Sequence, residues 1–374
     1  MSSIARTDTS VLGRWWWTVD RWTSGALLLI ILFGALMIFA ASPAVAERIG
    51  LDSYHFVRRQ LLLLPVAAAI LFTCSLMTPL QVRRIAVVGF VGCLGLLVLT
   101  LMVGPEIKGA RRWLPLGGFS LQTSEFMKPC FAVVAAWMFS EWRKDTGFPG
   151  HWVAIALYGV VVSLLLLQPD LGQTVVVSLV WFGQFFLAGL PMMLVGGIML
   201  CGAGGLVAAY FLFPHVNDRI NRFLDPAAGD SYQVDRSLEA FRSGGLFGTG
   251  PGEGQVKAYL PDAHADFVFS VTGEEFGAIV CILLIALFGF VVLRGFARLF
   301  AEQSLFVLLA GAGLLAQFGL QALIHMASAL QLMPAKGMTL PFISYGGSSL
   351  LALALGMGLM LALTRSRAGR MEAL

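Results

Sequence analysis

The sequence predicts an all-α polytopic membrane protein, with about ten transmembrane helices and one large extracytoplasmic loop. Three observations carry that class. Of 374 residues, 58% are hydrophobic and only 12% charged; membrane-length apolar stretches recur along the chain; and one long segment, 214–265, holds none. Soluble domains carry about 25% charged residues, so so small a share excludes an ordinary globular enzyme. Net charge is a modest +4, and no basic run or aromatic-interleaved stripe points to nucleic acid. Anionic lipid headgroups are the acidic surface such a chain meets.

A helix crosses the hydrocarbon core with about 20 residues, which places spans at 24–42, 56–77, 85–104, 121–140, 151–168, 171–189, 191–213, 266–293, 304–331 and 341–363. The first run follows Arg14 and Arg21 and ends in AASPAVA, like a signal peptide. Its length and the many later spans favour a retained helix. An even number of spans puts both termini on one side. Arg6, Arg14 and Arg21 share that side with Arg83 and Arg84, Arg143 and Lys144, Arg294 and Arg298, and Arg365, Arg367 and Arg370. Short-loop Lys and Arg stay in the cytoplasm, so 1–23 and 364–374 are expected there and 214–265 outside, within one integral membrane domain over 1–374. Trp15, Trp16, Trp17 and Trp22 fit an interfacial aromatic belt. The five cysteines lie singly in apolar runs, as buried small side chains do, and suggest neither disulfides nor zinc.

Between the third and fourth spans lies a basic loop, GPEIKGARRWLPLGGFSLQTSEFMK, on the side where insertion disfavours positive charge. Lys108, Arg111, Arg112 and Lys128 can bind an anionic headgroup or pyrophosphate there, or simply snorkel to the interface. Ser124, Glu125 and Lys128 open the fourth span at one-turn spacing, so Glu125 and Lys128 can pair. Gln168, Pro169 and Asp170 break an apolar run of nearly forty residues. Pro169 ends one helix and Asp170 can cap the next, with a site role equally open.

The large loop is rich in carboxylates, most of them in solvated surroundings. Asp266 differs, because FVFSV follows it directly and sets it at the hydrocarbon edge. Partial desolvation there suits a carboxylate to take a proton near neutral pH, while helix capping is the structural alternative. Glu274 and Glu275 lie two turns deeper and need partners, by packing or by chemistry. SGGLFGTGPGEGQ lacks the preceding strand and following Lys of a phosphate cradle, so it reads as a loop shaping a cleft. In LMPAKGMTLPFISYGGSS, Pro334 and Pro341 bound a turn that carries Lys336, a second positive charge on the Asp266 side.

GARRW with TSEFMK, QPDLGQT, the block from FLDP through SLEAFRSGGLFGTG to KAYLPDAHADFVFSVTGEEFG, and LMPAKGMTLPFISYGGSS occur together and in order. On these the chain resembles the SEDS family of polytopic cell-wall polymerases over nearly its whole length, and its LPFISYGGSS and GEEFG wording is more similar to the division branch than to the elongation branch. The resemblance implies a peptidoglycan glycosyltransferase of the cytoplasmic (inner) membrane that polymerises lipid II on the outer face. It places the family's essential aspartate on Asp266, and motif residues on Arg111, Trp113, Ser124, Glu125, Lys128, Gln168, Asp170, Glu275, Lys336 and Ser344. It implies as partners a single-span class B penicillin-binding protein and other division proteins. A divalent cation, Mg or Mn, could assist the leaving pyrophosphate. One position departs from the family: His325 stands where members usually carry Asn, and is expected to pack between helices. Broken helices and intramembrane carboxylates also suit a lipid II flippase, and a non-catalytic division scaffold is a third reading.

Overall fold

The computed structural model describes residues 10–107, 109–117, 119–144, 147–212, 217, 221, 232–334 and 337–366. A short helix α1 (Val11–Thr18) precedes α2 (Arg21–Ala41), α3 (Pro43–Arg48), α4 (His55–Ser75) and α5 (Pro79–Val103). Then follow α6 (Thr123–Trp142), α7 (Gly150–Leu167), α8 (Leu171–Leu187) and α9 (Met192–Leu212). After the large loop come α10 (Tyr232–Gly244), α11 (Val268–Leu299), α12 (Leu305–Ala329) and α13 (Gly347–Leu363). Each expected span has its helix: α2, α4 to α9, and α11 to α13. Among the described residues seven helices are long and apolar enough to cross a membrane, with α8 and α13 shorter apolar helices. α6 carries Glu125, Lys128 and Glu141 within its length.

Burial separates an inner from an outer ring. α6, α12 and α13 are buried around most of their circumference, the mark of a helix surrounded by protein. α9 lies at the periphery, with Met193, Leu200 and Phe211 exposed. Polar side chains tie the inner helices together. Gln184 of α8 donates to the carbonyls of Ala132 on α6 (2.8 Å) and Leu309 on α12 (3.0 Å).

The chain's described ends meet at one end of the bundle. There Ser366 N donates to Thr18 O (2.9 Å), and Asp20 accepts two hydrogen bonds from Arg294 (2.7 and 2.8 Å) and one from Arg298 (3.3 Å). The loops after α5, α7 and α12 meet at the opposite end.

Three features differ from the expectation. The basic loop contains a two-stranded antiparallel hairpin, β1 (Leu114–Leu116) with β2 (Phe119–Leu121), in which Leu114 faces Leu121. Gly117, next after β1, has φ +50°, a value glycine adopts without steric cost. The tenth helix starts at Gly347, not at 341. Residues 338–346 instead fold back among the helices, burying Leu340, Phe342 and Ile343, with Phe342 against Phe318 midway along α12. Such backbone is tolerated at membrane depth only when protein satisfies it. Here Leu340 N donates to Ser344 Oγ (2.8 Å), and the Met338 and Thr339 carbonyls are bound by His325 and Gln321.

The third feature is a break in α11 at Gly277, where φ is +80° and ψ 176°. The glycine-rich loop after α10 fills it. Thr249 N and Gly250 N donate to the Glu274 and Glu275 carbonyls (2.9 and 3.1 Å), while Ala278 N and Ile279 N donate to Gly245 O and Leu246 O (2.9 and 3.3 Å). The expectation of a cleft-shaping loop thus becomes a backbone clamp on a broken helix.

Candidate active site

Asp266 precedes α11 by two residues, its N–H bonded to Asp262 O (2.9 Å). The helix N-cap is Phe267, one residue further on, and it makes no side-chain cap. The Asp266 carboxylate is half-buried and lines a cavity of about 290 Å³. Trp113 and Ser120 of the basic loop, Glu125 of α6, Gln173 of α8, Arg59 and Leu63 of α4, and Tyr345 to Ser349 form its remaining walls, with Gln321, Met338 and Thr339. Gly337 lies so close that an added Cβ would stand 3.2 Å from Asp266 Oδ2, and its φ is +59°. A side chain there would be strained and would crowd the carboxylate.

Behind the cavity runs a buried polar relay. Lys128 Nζ pairs with Glu125 Oε2 (3.0 Å) and donates to Gln321 Oε1 (3.2 Å), both acidic and basic groups being nearly inaccessible. Gln173 Nε2 donates to the other Glu125 oxygen. Gln321 Nε2 reaches Thr339 Oγ1 (3.0 Å) and Ser349 Oγ (3.3 Å). Ser344 Oγ donates to Ala265 O (2.6 Å), so the folded-back segment is fastened to the residue before Asp266. Buried charges in such a setting persist only when paired and hydrogen-bonded. The relay therefore holds the wall rigid.

A second group adjoins it. Asp170 caps α8 by accepting from Gln173 N (3.4 Å), and Arg112 approaches the same carboxylate (3.9 Å) while donating to the Gln168 and Pro169 carbonyls. Burial pushes the Asp170 carboxyl up, against the lowering pull of Arg112. Gln168 Nε2 donates to Leu97 O (3.3 Å). Ser124 is buried at the start of α6, its hydroxyl without a partner among the described residues.

Other candidates stand apart. Arg111 is exposed and pairs with Glu106 (3.6 Å). Glu275 is buried in an ion pair with Lys257, and Glu274 accepts from Val256 N (2.7 Å) and Lys257 N (2.9 Å). Both carboxylates thereby hold the large loop against α11, and neither lines the cavity. Lys108 and Lys336 lie outside the described residues. His325 Nδ1 bonds Met338 O (2.6 Å), packing as expected but also pinning the cavity wall.

Arg59 is the residue that sequence reasoning missed. It is exposed, lines the cavity and hydrogen-bonds Tyr345. Its signal was there: an arginine at the start of an expected span, on the side where the insertion bias opposes positive charge. His264 stacks on Phe56 (4.4 Å between rings) and lies against Tyr345 (5.2 Å). Burial pushes its pKa down to about 4, so it is neutral near pH 7 and packs rather than titrates. Among the described residues no three His, Cys, Asp or Glu side chains converge, and Lys128 and Gln173 already engage Glu125. The described residues do not form a divalent-cation site; an ion beside Asp266 would draw most of its ligands from substrate oxygens.

A polytopic helical bundle with a carboxylate in a cavity at one end, walled by irregular backbone on a buried ion pair, defines an integral membrane protein with a candidate site at one end of its bundle. The chain belongs to the cell cycle protein family that groups FtsW, RodA and SpoVE, whose model matches residues 21–369. A Caulobacter vibrioides protein named "probable peptidoglycan glycosyltransferase FtsW" is 46% identical over 98% of this chain and 94% of its own length. The protein of that name from Coxiella burnetii is 35% identical over 92% and 96%. A chain of a peptidoglycan synthase complex that coordinates polymerisation and crosslinking superposes with TM-score 0.77 at 29% identity, covering 92% of this chain and 97% of that one. The Thermus thermophilus rod shape determining protein RodA does so with TM-score 0.67, at 29% identity, 92% and 96%.

Proposed function

We propose that this chain is a peptidoglycan glycosyltransferase that polymerises lipid II into β-1,4 glycan strands during cell division, with Asp266 as general base. The observation that carries the reading is the Asp266 carboxylate in a cavity that also presents Arg59. Asp266 takes the proton of the GlcNAc 4-hydroxyl of one lipid-linked unit. The freed oxygen attacks the MurNAc anomeric carbon of another, the bond to the lipid pyrophosphate breaks, and the α-linkage inverts to β. The transition state has oxocarbenium character. The leaving pyrophosphate needs positive charge placed in advance, which Arg59 at the wall and Arg112 nearby can supply, joined by Lys108 and Lys336 if they reach the same opening. Lys128, held by Glu125, serves the wall instead. Trp113 offers a flat apolar face for a sugar ring or the lipid-proximal part of the substrate.

The described termini share the end opposite the cavity, and that end carries Arg294, Arg298 and Arg365. Retention of basic loops in the cytoplasm supports cytoplasmic termini and an outward-facing cavity in the cytoplasmic membrane. The structural neighbour that belongs to a peptidoglycan synthase complex supports a class B penicillin-binding protein as partner, and other division proteins are proposed around the pair. A general base contributes about 10²- to 10⁴-fold. Purified Asp266→Asn protein should therefore insert normally and lose glycan polymerisation from lipid II by that factor. Parental polymerisation by the variant would refute the assignment. Parent protein that makes no polymer from lipid II on its accessible face, with the partner present, would favour a flippase instead.

A further inference from the structure

The large loop ends in a tip that the site does not use. Leu246 is 63% and Phe247 81% exposed, side by side in a turn between glycines. Two adjacent large apolar side chains exposed at a loop tip form an apolar patch of the kind that a lipid or protein surface covers. These are held out rigidly, because the backbone around them is bonded into the break of α11: Ala278 N to Gly245 O, Ile279 N to Leu246 O, and Thr249 N to Glu274 O. The tip therefore keeps a fixed height along that helix.

That height can be read from α11 itself. Its apolar face runs down to Arg294, which pairs with Asp20 at the far end of the bundle. Ile279, level with the tip, lies 15 residues before Arg294, about 22 Å at 1.5 Å per residue. The hydrocarbon core is about 30 Å thick, so with Arg294 at its far edge the tip lies about 8 Å inside the edge of the leaflet on the cavity side. Directly below it Ile279, Ile282 and Leu283 are exposed on α11, a helix long and apolar enough to cross a membrane. Ile279 N donates to Leu246 O, so the tip adjoins this exposed apolar stripe. Arg242 is exposed in the last turn of α10, a few residues before the tip, and a basic side chain beside an inserted segment can meet lipid phosphates.

We propose that Leu246 and Phe247 insert into the acyl–headgroup boundary of that leaflet and anchor the loop layer to lipid. The occupant is the bilayer, in the manner of an interfacial apolar face buried about 5–10 Å. The anchor stands on the fold alone and does not depend on the reaction proposed above. It couples the membrane surface to the clamp on α11, the helix whose start follows Asp266.

The test uses the full chain in nanodiscs of phosphatidylethanolamine and phosphatidylglycerol, with Cys201→Ala as background because Cys74, Cys93, Cys130 and Cys281 are buried. A nitroxide is attached at Phe247→Cys, and at Tyr259→Cys as a reference exposed elsewhere in the loop. Collision with oxygen, which concentrates in lipid, is compared with collision with a water-soluble nickel chelate. The expected result is an oxygen-to-nickel ratio several-fold higher at 247 than at 259. Equal nickel access at both positions overturns the proposal, and so does low access to both reagents at 247, which would mean a protein surface covers the tip. Leu246→Cys gives the same readout if the Phe247→Cys chain does not fold.

Discussion

The cavity works at the scale of single side chains because each charged group beside it is given a partner. Lys128→Met would leave Glu125 buried with Gln173 as its one remaining described polar contact. Breaking one side of such a pair costs about 3–5 kcal/mol, so thermal unfolding in detergent should fall sharply. Adding Glu125→Gln should restore most of the loss, since a neutral amide no longer needs the ammonium; a double variant as unstable as the single would show that the charge is not what the wall lacks. His264 makes the opposite case, a titratable group kept neutral by burial. Its folded pKa of about 4 lies below the ordinary 6.5, so the unfolded chain binds the proton first. Stability from this residue is whole above pH 6.5 and is lost as pH falls towards 4, by about 2 kcal/mol between pH 7 and pH 5. His264→Phe, which keeps a ring against Phe56 and Tyr345, should flatten that part of the pH dependence of the unfolding temperature.

Among elements, α11 shows where sequence reading reaches its limit. Its apolar run was plain from composition, as were the other nine spans, because lipid demands long uninterrupted apolar stretches that few other contexts produce. Glu125 and Lys128 were legible from spacing on one helix. The break at Gly277 was not, because it depends on backbone donors and acceptors contributed by a segment some thirty residues away. For the same reason 341–346 read as the start of a helix: only the bonds from Ser344, Gln321 and His325 show that irregular backbone is satisfied there. Arg59 went unread because it belongs to the cavity through tertiary position alone. The clamp makes a sharp prediction at Gly248, whose φ is +84° and where an added Cβ would stand 2.2 Å from Glu275 O. Gly248→Ala meets both backbone strain, about 1–3 kcal/mol, and a collision that neither rigid backbone can relieve. Limited proteolysis should cut the variant's large loop faster than the parent's, and unchanged cleavage would mean the clamp yields freely.

Across the whole molecule, stability and chemistry are placed at opposite ends of one long helix. α11 carries the clamp near its start and Arg294 near its finish, 18 residues or about 27 Å beyond Phe276 at helical rise. At that far end Asp20, almost inaccessible, joins α2 to α11 through Arg294 and Arg298. Burial alone would raise its carboxyl, but the hydrogen bonds from Arg294 and Thr23 and the charge of Arg298 overcome that and hold it below the usual range. The latch is therefore charged at every pH from 5 upward, and acid weakens it only as pH falls through the folded value. Asp20→Asn removes the charge that two arginines share and should cost about 3 kcal/mol, the lower part of the range for broken buried pairs, since both guanidinium groups keep some water. It touches no residue of the cavity, so polymerisation per folded molecule should stay at the parental level while the unfolding temperature drops. Changes more than about 10 Å apart with no shared partner add within about 0.5 kcal/mol. Asp20→Asn combined with Gly248→Ala should lower stability by the sum of the two single effects. A loss much greater than that sum would mean that α11 transmits strain across its break, and that the clamp and the latch act as one device rather than two.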